Sequence, residues 1–348
     1  MISFPSLFSY FLVISSLSYL FLAKFNIILN IIYSSHNFIF NNSWHNTYLE
    51  PSQYFEQRLP TAIIIGVKKC GTRALLHFLK FHPQIKILGP EIHFFDRSQI
   101  YNKGLGWYRK QMPFSTEEMI TIEKTPSYFV TDKAPQRIFH MNPNIKLLCV
   151  VRDPVIRAIS DYVQSISKKT DQEPRSFDDL LFDAKIYASA TNMTPRKIDF
   201  NNYLFFKNAN ASLIGVKPKM IDTSWSAIKI GIYANYLARW LSYFPRDQIF
   251  FVDGEKLIQE PSHIMERVEN FLNITRYMTW KLFEFDKSKK FPCIKMTNAS
   301  RSKLYCLGNT KGRTHPSVSN DTLARLHNFY EPLNLRFFKM INTSFDWG

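Results

Sequence analysis

The sequence predicts an α/β fold, with a central, mostly parallel β-sheet flanked by helices. Three observations carry that expectation. A β-branched run, Ala62 to Ile65, feeds a short glycine-containing loop and then a helical pattern from Ala74 to Phe81. The same grammar of strand, turn and helix returns between Leu147 and Ser165. The chain has 348 residues, 45% of them hydrophobic, which suits one large domain with a sizeable core.

Taken in order, the chain opens on an almost wholly apolar stretch, Met1 to Leu22, with no charged side chain before Lys24 and apolar character resuming through Ile32. That length spans a bilayer as a helix, and neither a short apolar core nor a small-residue cleavage site is evident. Residues 1–33 are therefore expected to form an uncleaved signal-anchor, 34–58 a polar stem rich in Asn, Ser and His, and 59–348 the folded domain. Asn41, Asn192, Asn210, Asn273, Asn298, Asn320 and Asn342 each begin an Asn-x-Ser/Thr triplet, as a lumenal domain would carry. Lys and Arg outnumber Asp and Glu by 44 to 28, a net charge of +16. A polyanionic partner is expected, and charge alone does not choose among nucleic acid, anionic membrane and acidic glycan.

The loop Gly66, Val67, Lys68, Lys69, Cys70, Gly71, Thr72 lies between the first strand and its helix, where backbone N–H groups and the positive end of the helix dipole make an anion site. The spacing Gly66-x4-Gly71 imitates the loop GxxxxGK[ST] of nucleotide hydrolases, but Thr72 and Arg73 stand where Lys and Ser/Thr belong. This argues against a nucleotide kinase and for a nucleotide without a metal-bound triphosphate. The plain alternative is a surface lysine pair at a strand end. No CxxC or paired-His spacing suggests zinc, and no metal is expected.

A second apolar run, Ile85 to Leu88, would bring Glu91, His93 and Asp96 to the same sheet edge. A carboxylate there suits a general base, and the alternative is an ion pair with a lysine. In EKTPSYF, Lys124 and Thr125 precede Pro126 and are read as a loop with a charged lip. Lys146 to Val151 reads as a buried strand containing Cys149, with Arg152 at its end and Pro154 in the first turn of a helix. Arg152 and Ser160 would offer a planar fork and a neutral donor to phosphate oxygens, with Gln164 one turn further. Residues 183–220 are of mixed composition and read as a surface excursion. A helix with an aromatic stripe follows Ser224 and Trp225, then a strand, Gln248 to Val252, and a helix, Pro261 to Leu272. Cys293 and Cys306 flank a polar loop. The block Lys311, Gly312, Arg313, Thr314, His315 concentrates cations around a glycine, as a phosphate site needs.

The blocks GVKKCGTRALLHFL, PEIHFFD, EKTPSYFV, VVRDPVIRAISDY, DTSWSAIKIGIYA, FPCIK and CLGNTKGRTHP, in this order, resemble the heparan sulfate glucosamine 3-O-sulfotransferases. The similarity runs from about Leu59 to the C-terminus, interrupted by 183–220. It implies a P-loop-like sulfotransferase domain on a single-pass type II Golgi membrane protein with a lumenal catalytic domain. The implied donor is 3′-phosphoadenylyl sulfate, the acceptor heparan sulfate rather than nucleic acid, and the reaction a single in-line displacement. Glu91 is implied as the base, with Lys69, His93 and Asp96 completing the catalytic set. Donor contacts are implied at Lys69, Cys70, Gly71, Thr72, Arg73, Arg152, Ser160 and Lys311 to His315. Acceptor contacts are implied at Lys68, Glu91, Lys124, Thr125, Gln164, Ser224 and Trp225, and a disulfide joins Cys293 to Cys306. One departure is Cys70, where the family usually has Gly. It favours an inactive heparan sulfate-binding protein as one alternative, the other being a sulfotransferase for a different glycan position or acceptor.

Overall fold

A computed structural model of the chain describes residues 55–168, 175–182, 220–288, 291–298, 301–308 and 313–347. The expected membrane anchor, the stem up to residue 54 and the insertion up to residue 219 lie outside these residues, as do Lys311, Gly312, Asn41, Asn192 and Asn210. No helix among the described residues is long and apolar enough to cross a membrane.

The strands are β1 (Glu56–Gln57), β2 (Ala62–Gly66), β3 (Ile85–Ile87), β4 (Phe114–Ser115), β5 (Ile120–Lys124), β6 (Lys146–Val151), β7 (Ile249–Asp253), β8 (Phe283–Asp286), β9 (Phe291–Asn298) and β10 (Arg301–Tyr305). Five of them form a sheet of order β3-β5-β2-β6-β7 in which every neighbouring pair is parallel. β2 lies at its centre, with Ile63 opposite Glu123 on one side and Leu147 on the other. A parallel sheet is covered on both faces, so its strands are apolar without alternation. Ala62 to Ile65 and Leu147 to Val151 meet that requirement, each fully buried.

The longer helices are α1 (Thr72–Leu79), α2 (Ala134–Met141), α3 (Pro154–Ile166), α4 (Tyr233–Leu241), α5 (Pro261–Leu272) and α6 (Asn320–Ile341). α3 starts where the sequence marks it: Pro154 needs no N–H in the first turn, and Asp153 Oδ1 accepts from Val155 N at 2.7 Å. Several boundaries depart from expectation. α1 begins at Thr72 rather than Ala74, and the strand expected from Gln248 begins at Ile249 after a 3₁₀ turn, Arg246–Gln248. The single helix expected after Trp225 is split into Ser226–Lys229 and α4. The split falls at Gly231, where a Cβ would stand 2.8 Å from the Tyr330 hydroxyl and 2.9 Å from the Pro154 side chain. That close approach seats α6 against α3, and the Tyr330 hydroxyl donates to Ile228 O at 2.7 Å.

β8, β9 and β10 form a separate antiparallel sheet. Cys293 and Cys306 are bonded there, with Cα atoms 4.5 Å apart, as the family resemblance implies. The bridge closes a loop of sequence separation 13, so replacing both cysteines by Ser should cost about 3 kcal/mol of stability. Thermal unfolding of the double variant under oxidising conditions checks this.

Candidate active site at the carboxyl edge of the sheet

Because the five central strands are parallel, their carboxyl ends share one edge, which is where ligands bind in open α/β sheets. Lys68 and Lys69 follow β2, Glu91 and His93 follow β3, Lys124 ends β5, Arg152 follows β6 and Glu255 follows β7. The fold thus gathers at one edge residues that are spread over nearly 190 positions of sequence.

The loop after β2 turns twice through the left-handed region, at Lys69 (φ 74°) and Gly71 (φ 108°). Gly71 is the N-cap residue of α1, no side chain caps that helix, and Ala74 N already donates to Gly71 O, so the Thr72 and Arg73 N–H groups are left to an anion. Cys70, between these two, is not in the left-handed region, so a side chain costs nothing there. The thiol is buried and lies 3.5 Å from the Tyr233 hydroxyl, on the core side of the loop. Burial pushes it up to about 11. The Cys70 side chain therefore packs in the core and is not available to the donor, and the departure from Gly puts no side chain on the outer face of the loop. Cys70→Gly should lose about 2 kcal/mol of stability from the lost packing and the added chain freedom, with no gain in activity. Urea unfolding beside a turnover assay checks both.

Lys68 pairs with Asp161 at 2.8 Å, and Asp161 also accepts from Arg157 at 3.0 Å. Burial alone would raise the Asp161 carboxyl, but Arg157 and Lys68 outweigh it and hold it below the ordinary range. Arg157, fully buried, also donates to Lys68 O at 3.4 Å and to Ala227 O. One guanidinium thus ties the loop after β2 to α3 and to the Ser226–Lys229 helix. The sequence reading missed this pair. Its signal was the i, i+4 spacing of Arg157 and Asp161 on one helix face.

Glu91 is 41% exposed and ion-pairs through Oε1 with the Lys124 ammonium. Its other oxygen lies 3.8 Å from His93 Nε2. His93 Nδ1 donates to Asp96 Oδ2 at 2.8 Å, which also accepts from Ser127 Oγ at 2.5 Å. Asp96 thereby fixes the ring and its tautomer, and directs Nε2 toward Glu91. Glu91, His93 and Asp96 are brought together as expected, and the expected alternative partner of Glu91, a lysine, is present as well.

Lys124 itself departs from expectation. It is the last residue of β5 and 3% exposed, not a solvated loop lip. Thr125 is fully buried and its hydroxyl donates to Glu123 at 3.1 Å, which removes its side chain from the acceptor-contacting set. Glu123 was not singled out in the sequence. It is fully buried, and Tyr108 donates to its other oxygen at 3.0 Å. Burial raises its carboxyl to about 7, with the hydroxyls of Tyr128, Tyr108 and Thr125 and then Lys124 opposing the rise.

On the other side of the loop, Arg152 Nε donates to Glu255 Oε1 at 3.1 Å. Burial lowers the His315 imidazole, and Arg152 and then Lys69 lower it further, so both cations lie within electrostatic reach of the ring. Arg313 is half-buried and Thr314 exposed. Ser160 and Gln164 are half-buried on α3, and Arg73 Nη1 donates to Gly89 O at 3.3 Å. Ser224 and Trp225 are engaged by other partners. Ser224 donates to Asp222 at 2.6 Å, and the Trp225 ring packs on Phe177 and Tyr162, at 5.4 and 6.4 Å between centroids. A cavity of about 370 Å³ lies elsewhere, at Ile258, Pro261, His263, Trp280, Phe285 and Pro292. None of these is a candidate residue, and the lysines and arginines gathered at the sheet edge are absent from its lining. The uncapped α1 terminus with Lys69, Arg152 and His315 is a donor set suited to phosphate groups on a nucleotide.

Comparison with known proteins gives the family. The sulfotransferase domain family model matches residues 59–339. The chain is 49% identical over 291 residues to human heparan sulfate glucosamine 3-O-sulfotransferase 3B1, covering 84% of this chain and 65% of that protein. It is 45% identical over 292 residues to human heparan sulfate glucosamine 3-O-sulfotransferase 6, covering 84% of this chain and 75% of that protein. It thus spans slightly less than two thirds of the first relative's length. Among solved structures, the sulfotransferase from Alicyclobacillus acidocaldarius aligns with a TM-score of 0.55 at 19% identity, over 83% of this chain and 98% of that one, and shares the fold. A match over residues 59–339, joined to 45% identity with a protein that it covers by three quarters, places the chain in the sulfotransferase family and, within it, among the heparan sulfate glucosamine 3-O-sulfotransferases.

Proposed function

We propose that the protein transfers a sulfuryl group from 3′-phosphoadenylyl sulfate to the 3-hydroxyl of glucosamine residues in heparan sulfate. The observation that carries this reading is Glu91, held by Lys124 and His93 at the same sheet edge as the Lys68–Lys69 loop. The acceptor is supported by the relatives, which are heparan sulfate glucosamine 3-O-sulfotransferases. The nucleotide supplies an activated sulfuryl group and a phosphate leaving group. The α1 N-terminus and Lys69 would hold its 5′ side, and Arg152 with Ser160 its 3′-phosphate. Glu91 takes the proton from the attacking hydroxyl, which is otherwise a poor nucleophile. Lys69 presents an ammonium where negative charge grows on the departing phosphate, stabilising the transition state more than the ground state. Lys68, which Asp161 holds at 2.8 Å, and Gln164 would meet the sulfated glycan.

The reading includes a single-pass anchor at 1–33 and a catalytic domain in the Golgi lumen, supported by the apolar N-terminal run, the sequons and the disulfide. The experiment is transfer of labelled sulfate from 3′-phosphoadenylyl sulfate to heparan sulfate by the full chain, with the position of the new sulfate mapped. Labelling at the glucosamine 3-hydroxyl is expected. Transfer to another position, or binding of donor and glycan without transfer, would overturn the proposal.

A further inference from the structure

The turn after β7 is built into the phosphate loop more closely than a surface turn would be. Gly254 N donates to Val151 O at 2.8 Å, and a Cβ on Gly254 would stand 2.2 Å from Cys70 O and 2.9 Å from Val151 O. Only glycine allows that approach. Asp253 Oδ1 then accepts from the N–H groups of Glu255 and Lys256, at 2.9 and 3.0 Å, which fixes the direction in which the Glu255 backbone leaves the sheet. Across the site, the Tyr233 hydroxyl donates to Arg152 O at 2.7 Å and also lies 3.5 Å from Cys70 Sγ. Both partners of the Arg152–Glu255 pair are thus packed beside Cys70 of that loop, Glu255 through Gly254 and Arg152 through Tyr233.

The contact itself is one-sided. Glu255 Oε1 takes Nε, the edge of the guanidinium, at 3.1 Å. The Nη1 and Nη2 groups of Arg152 have no hydrogen-bond partner among the described residues, and the side chain remains 25% exposed. An arginine docked through Nε has its plane fixed while its terminal N–H groups stay available to two oxygens of one phosphate. A free arginine would have to give up rotamer entropy to reach the same pose.

We propose that Glu255 is a positioning residue that sets Arg152 for a phosphate on the nucleotide ribose, and so determines the preference for a 3′-phosphorylated nucleotide. This rests on the donor reading above, and it adds a carboxylate to a site otherwise made of donors. A carboxylate beside a phosphate costs some electrostatic repulsion, which the fixed guanidinium must exceed.

The test is calorimetric titration of the full chain with 3′-phosphoadenosine 5′-phosphate and with adenosine 5′-phosphate, for the parent, Glu255→Ala and Glu255→Gln. The ratio of the two affinities is the readout. In Glu255→Ala the preference for the 3′-phosphate should fall about tenfold, the scale of one hydrogen bond to a charged group, while adenosine 5′-phosphate binds as in the parent. Glu255→Gln should keep most of the preference, since its amide oxygen still accepts from Nε. An unchanged or increased preference in Glu255→Ala overturns the proposal, as does equal weakening of both nucleotides, which would mean that Glu255 only supports the turn. A parent chain with no 3′-phosphate preference overturns the donor reading and the inference with it, so the two failures are read apart.

Discussion

Glu91→Gln should lower sulfate transfer at least about a hundredfold while leaving nucleotide affinity within a factor of two, since a positioned general base contributes roughly 10²–10⁴. Gln keeps the volume of the side chain and a carbonyl oxygen for Lys124, but it offers no basic oxygen to the acceptor hydroxyl. Glu91 stands beyond β3 and is paired with Lys124 and His93, not with the loop after β2, whose residues would hold the nucleotide. Donor binding is therefore the internal control for folding. His93 gives the prediction a sharp competitor, because its Nε2 lies 3.8 Å from Glu91 and its Nδ1 is already committed to Asp96. If Glu91→Gln retained more than a tenth of the activity while His93→Gln abolished it, the proton would be leaving to the imidazole instead. Lys124 separates the roles further. Its ammonium is desolvated by burial and paired with Glu91, so Lys124→Met should leave Glu91 misplaced and weaken turnover more than donor binding.

Much of this edge was legible in the sequence, because its signals are local. The strand at Lys146–Val151 and the helices at Pro154 and Pro261 coincide with their predicted starts, since β-branched runs and proline at the first helical turn act within a few residues. The cationic loop after β2 and the grouping of Glu91, His93 and Asp96 followed from strand ends in a parallel sheet. What the sequence reading missed depends on where side chains turn in three dimensions. Cys70 faces the core because the residues on either side of it carry positive φ, and no composition signal reports that. Lys124 and Thr125 looked like a solvated lip because Pro126 follows them, yet β5 lies inside the sheet between β3 and β2 and buries both. Gly231 broke a helix that its flanking residues favour because Tyr330, about a hundred positions away, occupies the space. Asp161 and Glu255 act on the site by holding Lys68 and Arg152, and a carboxylate beside an expected phosphate site is the residue that charge-based reading passes over.

Glu123 should make folding stability fall as pH rises from about 5 to 8, and Glu123→Gln should remove that slope. The carboxyl is fully buried, and its hydrogen bonds come from hydroxyls rather than from a cation. Burial therefore dominates and lifts it from 4.5 to about 7. With the folded value above the unfolded one, the folded chain holds a proton that the unfolded chain has released between these two values. The slope of stability with pH follows the excess of protons on the unfolded state, which is negative here. The contribution is fully present below the unfolded value and is lost as pH rises through about 7. At about 1.4 kcal/mol for each pH interval, the total is on the order of 3 kcal/mol. Gln mimics the protonated acid in shape and has no proton to lose. Urea unfolding at pH 5, 6, 7 and 8 should show the variant gaining on the parent progressively, by about 3 kcal/mol at the upper end. Parallel curves for the two chains would mean that Glu123 stays ionised in the folded state, held by Lys124 rather than by the tyrosines. In that case Lys124→Met, which leaves the same hydroxyls in place, would destabilise the parent more than it destabilises Glu123→Gln.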